Sequence, residues 1–406
     1  MAGTIATMFI DPRRVIIAAV FVLLSQPVAA LAWGTKEHVM LTRLAAEGLI
    51  ADPKTPPGMR QWLIDAQPQR MTVDEEREFL LRARMGVVPR GVDGLAYWAV
   101  MPDLTALMDR PEKKVQPYNA HERLLHYVDV EFFGPNPPPL EDEKPKRGGG
   151  GGAGPELLGA SPATAPAAAP PLVRPDPSRK PKLADFPTDV NDRRLASAGY
   201  LPFRVRQCYG TLVRHLRAGR LVDRPGQYPR DEHATKWAGM LAHYAADNTQ
   251  PHHATVDYQS RSFFPPGVRV PSVHSVLEYK PVDDEDEDYT SLREAYWPLL
   301  VARLADVKDF ATSDDPFKST IETALISYDA LPMIGQSAVA AWDRDAKPVD
   351  AREVGRIDVA TFYASRGTYL GREMSVLEMK AHQQAWAVRR IQRLWRAAWD
   401  EAMRGQ

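Results

Sequence analysis

Residues 134–186 divide this chain more sharply than any other feature. The run GPNPPPLEDEKPKRGGGGGAGPELLGASPATAPAAAPPLVRPDPSRKPKL is rich in Pro, Gly and Ala and poor in large apolar side chains. Such a segment cannot bury enough surface to offset the entropy of ordering it, so its composition predicts a disordered insertion. Its glycines do not form a phosphate-binding loop, because no Lys-Ser/Thr follows them and no strand precedes them. The fold must therefore be built from residues 33–133 and 187–406. With 44% hydrophobic residues in 406, the chain can bury a sizeable core.

Both flanks read as helix. EHVMLTRLAAEGLI carries Val39, Leu41, Leu44, Ala45 and Leu49 near a 3.6-residue period. DEEREFLLRARMG opens on acids and closes on glycine, the polarity expected of a helix. DEHATKWAGMLAHYAADN, SLREAYWPLLVARLADVKDF, FKSTIETALISYDAL and EMSVLEMKAHQQAWAVRRIQRLWRAAWDEAMR continue the pattern, while alternating runs are few and short. The expectation is one all-α domain interrupted by the insertion.

Residues 1–32 look separate from that domain. Arg13 and Arg14 precede the apolar run VIIAAVFVLL and then SQPVAALA, the parts of a secretory signal peptide. The apolar run is shorter than the roughly 20 residues a membrane span needs. Cleavage after Ala32 would expose Trp33 as the new terminus, and the domain is expected to be exported, to the periplasm or the medium. Cys208 is the single cysteine, so no internal disulfide can hold an exported fold together. A good core, bound metal or both must do so. Charge is balanced, 51 Lys+Arg against 52 Asp+Glu, without the basic excess of a general nucleic-acid binder.

The histidines are the chemical signal. LAHYAADNTQPHHATVDY, residues 241–258, holds three of the ten. His243 and Asp247 are four apart in a helical pattern and share a face. Pro251 then breaks the helix before His252 and His253. HSVLE repeats the four-residue spacing with His274 and Glu278, and His253 precedes Asp257 by the same interval. Imidazole and carboxylate on one face suit zinc. Taken singly, each pair is better read as a surface ion pair than as part of a metal site.

Taken together, the motifs point further. Trp33, His38, PD at 102–103, LHYVD at 125–129, HYAADNTQPHH and HSVLE occur in one order. This series resembles the three-zinc superfamily of bacterial phospholipase C and the secreted fungal and plant single-strand nucleases. The resemblance spans residues 33–278 and implies an all-α fold with three zinc ions per chain. It implies that Asp103, His126, His243 and Asp247 hold one zinc. Trp33, through its free amine and carbonyl, would join His38 and the shared Asp247 on a second. His253, His274 and Glu278 would hold the third.

It also implies hydrolysis of a phosphodiester by a hydroxide shared between two metals, with Asp103 doubling as general base. The chain departs from the family in places. Asp103 comes four positions after Ala99, where the nucleases place aspartate directly after WA. Lys36 and Glu37 stand where the phospholipases carry a choline-facing acid. Glu278 replaces the nucleases' aspartate. A phospholipid head group is the first expected substrate and single-stranded nucleic acid or a nucleotide the second. A non-catalytic, zinc-stabilised binding protein is a third reading, and no obligate protein partner is evident.

Other features have plainer readings. His121, His215, His233, His252 and His382 read as surface or core histidines, with His252 closest to the site. DDEDED at 283–288 reads as a solvated loop. Arg389, Arg393 and Arg396 read as a solvated stripe over buried Trp395 and Trp399, with transient contact to a membrane surface as the alternative.

Overall fold

The computed structural model describes residues 33–66, 94–108, 122–140, 174–222, 232–282, 289–348 and 352–404. Among them the expectation of a helical protein holds. In chain order the helices are α1 (Thr35–Ala51), α2 (Pro57–Asp65), α3 (Leu95–Met108), α4 (Leu195–Ala198), α5 (Leu201–Val222), α6 (Glu232–Asp247), α7 (Val273–Tyr279), α8 (Thr290–Asp306), α9 (Pro316–Tyr328), α10 (Leu331–Ala340), α11 (Val359–Ala364) and α12 (Val376–Met403). Two small antiparallel ladders join them. In one, β1 (Trp342–Asp343) pairs with β2 (Arg356–Ile357). In the other, β3 (Arg366–Tyr369) pairs with β4 (Arg372–Ser375), placing Arg366 opposite Ser375. The expected leader at 1–32, the helix at 74–86, His121 and the acidic run at 283–288 lie outside the described residues. No described helix is long and apolar enough to cross a membrane.

Helix α6 is central, packed by α1, α3, α5 and α12. Its small residues Ala238, Ala242, Ala245 and Ala246 are buried and let neighbours approach. At Gly239 the approach is closest: an added Cβ would lie 2.5 Å from the Leu95 carbonyl and 2.5 Å from Trp98 Cβ on α3. Helix α12 is the other organiser. Residues from Ala387 to Ala402 pack in one core with α5 and α6, whereas Val376 to Trp386 pack in a second with α7, α8, α10 and α11. The helical reading of the run from Glu373 is shortened at its start. Ser375 Oγ accepts the Glu378 N–H at 3.1 Å and its own N–H donates to the Glu378 carboxylate at 2.6 Å. This capping box fixes Val376 as the first helical residue and leaves 372–375 to pair as β4.

Two expectations change. The insertion is narrower than 134–186, because both of its ends pack on the domain. Leu140, Pro181 and Phe186 are buried, and the Phe186 ring lies 4.6 Å from that of Phe133. Lys180 Nζ meets the Asp329 carboxylate at 2.6 Å, and the Asp176 N–H donates to the Tyr328 hydroxyl at 3.2 Å. These few anchors supply contacts that an average composition over the whole run conceals. Residues 141–173 lie outside the described residues.

The arginine stripe on α12 is also not simply solvated. Arg393 donates to the Asp309 carboxylate at 3.2 Å and to the Ser313 carbonyl at 2.8 Å. Arg396 donates to the Lys54 carbonyl at 2.8 Å, and Arg389 to the carbonyls of Leu304 and Val307. Arg393 and Arg396 each staple a loop to the helix, and Arg389 holds the end of α8 against it. Trp395 and Trp399 are buried beneath them, as the period predicts.

Candidate metal centre

The last turns of α6 set the site. His243 and Asp247 lie one turn apart on one face, and both are 0% exposed. The close crossing at Gly239 brings α3 over that face and delivers Asp103 from the residue after Pro102. His126 follows the 3-10 turn Glu122–Leu125, and His38 comes from the first turn of α1. Trp33, just before α1, is anchored by its indole, which donates to the Ala246 carbonyl at 3.0 Å beside Asp247.

These stretches converge on one buried centre. Asp247 lies 2.9 Å from His126 Nδ1, 3.1 Å from His243 Nε2 and 3.2 Å from His38 Nε2. Asp103 lies 3.5 Å from His243 Nε2, 3.6 Å from His126 Nδ1 and 3.8 Å from His38 Nε2. His38 and His243 stack with ring centroids 4.0 Å apart. Two groups, His38 with His243 and Asp247, and Asp103 with His126 and His243, keep their donor atoms within 4.8 Å of one another. Either group could hold a metal ion.

The hydrogen-bond chemistry fits a cation. His243 Nδ1 donates to the Ala99 carbonyl at 2.7 Å. That bond fixes the tautomer, so the neutral ring presents the lone pair of Nε2 to the oxygens of Asp247 and Asp103. His126 Nδ1, 3.0 Å from His243 Nε2 and 2.9 Å from Asp247, has one proton and cannot fully serve both, and the remaining lone pairs repel unless a positive charge lies among them. His126 Nε2, Asp247 Oδ1 and both ring nitrogens of His38 are buried and make no hydrogen bond among the described residues. Buried polar atoms of this kind ordinarily have partners, and coordination to a metal would supply them.

Protonation agrees. Burial pushes His243 down to about 3 despite the attraction of Asp247. Burial alone would raise Asp247, but the electrostatic pull of His243 and the close approach of His126, His243 and His38 outweigh it and hold the carboxyl well below its usual value. At neutral pH the imidazole is neutral and the carboxylate ionised, the forms that bind metal.

The remaining expected ligands form a looser set alongside. His274 Nε2 and Glu278 Oε2 on α7 are 3.0 Å apart. The His253 ring, on the 3-10 turn Pro251–Ala254, lies 5.4 Å from that of His274. His253 Nδ1 donates to the His126 carbonyl at 2.8 Å, which ties this turn to the first group and leaves Nε2 as its lone-pair nitrogen. Burial pushes His253 down to about 4 and His274 well below its usual value. His252 is buried as well. Its Nε2 is 3.0 Å from Ser260 Oγ and its ring lies 5.2 Å from that of His274. The third equal spacing, His253 to Asp257, has another purpose. Asp257 accepts the N–H groups of Arg261 and Ser262 and closes a turn.

Support behind the site carries no signal in the sequence. The Tyr244 ring stands against His126 and His243, with centroids 5.3 and 5.1 Å away. Its hydroxyl donates to Glu122, which also lies 3.4 Å from Arg204 Nη2. Tyr244 is visible only as the neighbour of His243, and nothing in the spacing joins it to Glu122 or Arg204. The chain matches no protein-family model, and neither a curated protein nor a solved structure is similar to it at a significant level.

Proposed function

We propose that this protein is an exported, zinc-dependent phosphodiester hydrolase acting, like phospholipase C, on lipid head groups. One observation carries the reading: His38, Asp103, His126, His243 and Asp247, drawn from four separate stretches, meet at a buried centre with their donor atoms turned inward. Their order along the chain is that of the three-zinc superfamily, which supports zinc and a count of three. Trp33, His38 and Asp247 form one ligand set in this reading. Asp103, His126, His243 and Asp247 form another, and His253, His274 and Glu278 a third.

Zinc held there supplies Lewis-acid charge for the phosphate and lowers the pKa of water toward neutrality. The chain's own groups do the rest. The Ala99 carbonyl holds His243 in the required tautomer, and the His126 carbonyl does the same for His253. Asp247 reaches toward both neighbouring groups and fixes their separation. Asp103, which stands farther from the three histidines than Asp247 does, is the general base that takes the proton from the attacking water.

The test is a substrate panel on purified, zinc-loaded protein beginning at Trp33. It compares phospholipids with single-stranded DNA and RNA. Release of phosphorylated head groups supports the proposal. Cleavage of nucleic acid instead moves the assignment to the nuclease branch with the same metal chemistry. Full zinc loading without turnover on any of them leaves a binding protein.

A further inference from the structure

The two halves of the candidate site meet a single buried ammonium. Lys380, on α12, is 0% exposed and belongs to neither ligand set. Its Nζ donates to the carbonyls of Leu277 at 2.7 Å, Glu278 at 3.1 Å and Lys280 at 2.6 Å. It also lies 2.7 Å from Glu37 Oε1, itself 0% exposed. The other oxygen of Glu37 accepts the Gly34 N–H at 3.2 Å. Nζ sits 5.4 Å from the centroid of the Trp33 ring.

An ammonium has three protons, so four acceptors saturate it. Three of these are carbonyls at the end of α7, where the helix no longer satisfies its own acceptors. Tyr363 adds a second donor there, its hydroxyl reaching Val276 and Leu277 at 3.0 and 3.2 Å and also Lys280. The fourth acceptor lies beside His38, in the segment that begins with Trp33.

We infer that Lys380 is a positioning residue that sets the place of Glu278 and His274 relative to Trp33, Gly34 and His38. The inference rests on the metal reading above. A buried ammonium among apolar neighbours is costly unless fully paired, and its partners here are the backbone of one ligand helix and the residue preceding a ligand on another. Ligands held this way bind metal in one geometry. Loss of such a supporting contact typically weakens metal affinity by about 10- to 100-fold.

Lys380→Met alone strands Glu37 as a buried charge and can unfold the protein. The informative variant is therefore Lys380→Met with Glu37→Gln, which removes both charges, and Tyr363→Phe is a milder companion. Each is compared with the parent by zinc titration, by the visible spectrum of the cobalt-loaded form and by unfolding of the metal-free form. The double variant is expected to fold with lower metal-free stability, because three carbonyls lose a donor, to bind the weakest metal at least tenfold less tightly and to show an altered cobalt spectrum. Tyr363→Phe should move the spectrum in the same sense by less. Variants that fold and match the parent in affinity and spectrum overturn the inference and leave the metal reading intact. A double variant too unstable to fold, beside a Tyr363→Phe protein identical to the parent, also overturns it, because Lys380 then serves the core. A parent that binds no metal overturns both.

Discussion

Asp247→Asn separates a metal site from an ordinary buried ion pair. In the metal-free protein the carboxylate meets nitrogens of three histidines at 2.9, 3.1 and 3.2 Å with no exposure to solvent. If it were a structural ion pair, removing its charge would cost about 3–5 kcal/mol. The geometry argues for a smaller number. His126 Nδ1 and His243 Nε2 both face Oδ2, whereas His38 Nε2 faces Oδ1, so an amide can keep its oxygen on His126 and offer an N–H to the ring nitrogen of His38. Metal-free Asp247→Asn should therefore unfold within about 1 kcal/mol of the metal-free parent, the net worth of one ordinary hydrogen bond.

The metal-loaded proteins should differ far more. Free zinc at 100 times its dissociation constant stabilises a folded chain by about 2.7 kcal/mol per site. In the proposed arrangement two sites share Asp247, so zinc should stabilise the parent by about 5 kcal/mol more than the variant. Urea unfolding with and without a chelator, with zinc counted by elemental analysis, measures both. A metal-free variant destabilised by more than about 3 kcal/mol, or one that keeps the parent's zinc, would refute the reasoning.

Four further outcomes are expected. The parent should carry close to three zincs after zinc-replete expression, and one or fewer would remove the three-metal reading. An extra residue before Trp33 replaces the amine by an amide, so zinc content should drop by one while the circular dichroism stays helical. Excising 141–173 with a Gly/Ser linker of about eight residues should raise stability by no more than about 1.2 kcal/mol, because each halving of loop length is worth about 0.6 kcal/mol; extending the excision to 186 removes the Lys180–Asp329 and Phe133–Phe186 contacts and should lower the urea midpoint.

Acid should destabilise the metal-free protein. Burial holds His243 and His252 down to about 3 and His253 to about 4, with His274 also well below its usual value. The unfolded chain then takes up protons that the folded one does not, so stability is present above pH 6.5 and is lost as pH falls. Between pH 6.5 and 5.5 the loss is about 1 kcal/mol per histidine. Urea midpoints unchanged over that interval would contradict it.

Helices were legible wherever an apolar face alternated with polar surface, as along α1, α9 and α12. α3 and α5 were not singled out. Of these, LAYWAVMPDLTALM is apolar on nearly every side and so has no face to detect. Among the ligands, His243 with Asp247 and His274 with Glu278 were visible from their spacing, since one helical turn is a local quantity. That His38, Asp103 and His126 join them depends on how α1, α3 and the 122–126 turn pack on α6, which no local pattern encodes. The resemblance supplied that step in the sequence. In the structure, the bare backbone at Gly239 supplies it, and Gly239→Ala should push α3 away, shift the Ala99 carbonyl and Asp103, and cost both zinc affinity and about 1–3 kcal/mol of stability.

Helix α12 runs unbroken through both cores, with Trp386 in one and Ala387 in the other. Neither core can open while the other stays shut without fraying a continuous ladder of backbone hydrogen bonds. The protein should therefore melt in one cooperative transition, and the amides around Ala385–Val388 should exchange with solvent only through global unfolding. A metal that leaves the site would then lower the whole molecule's resistance to exchange, and the slowest amides, on a helix that supplies no ligand, would report its departure.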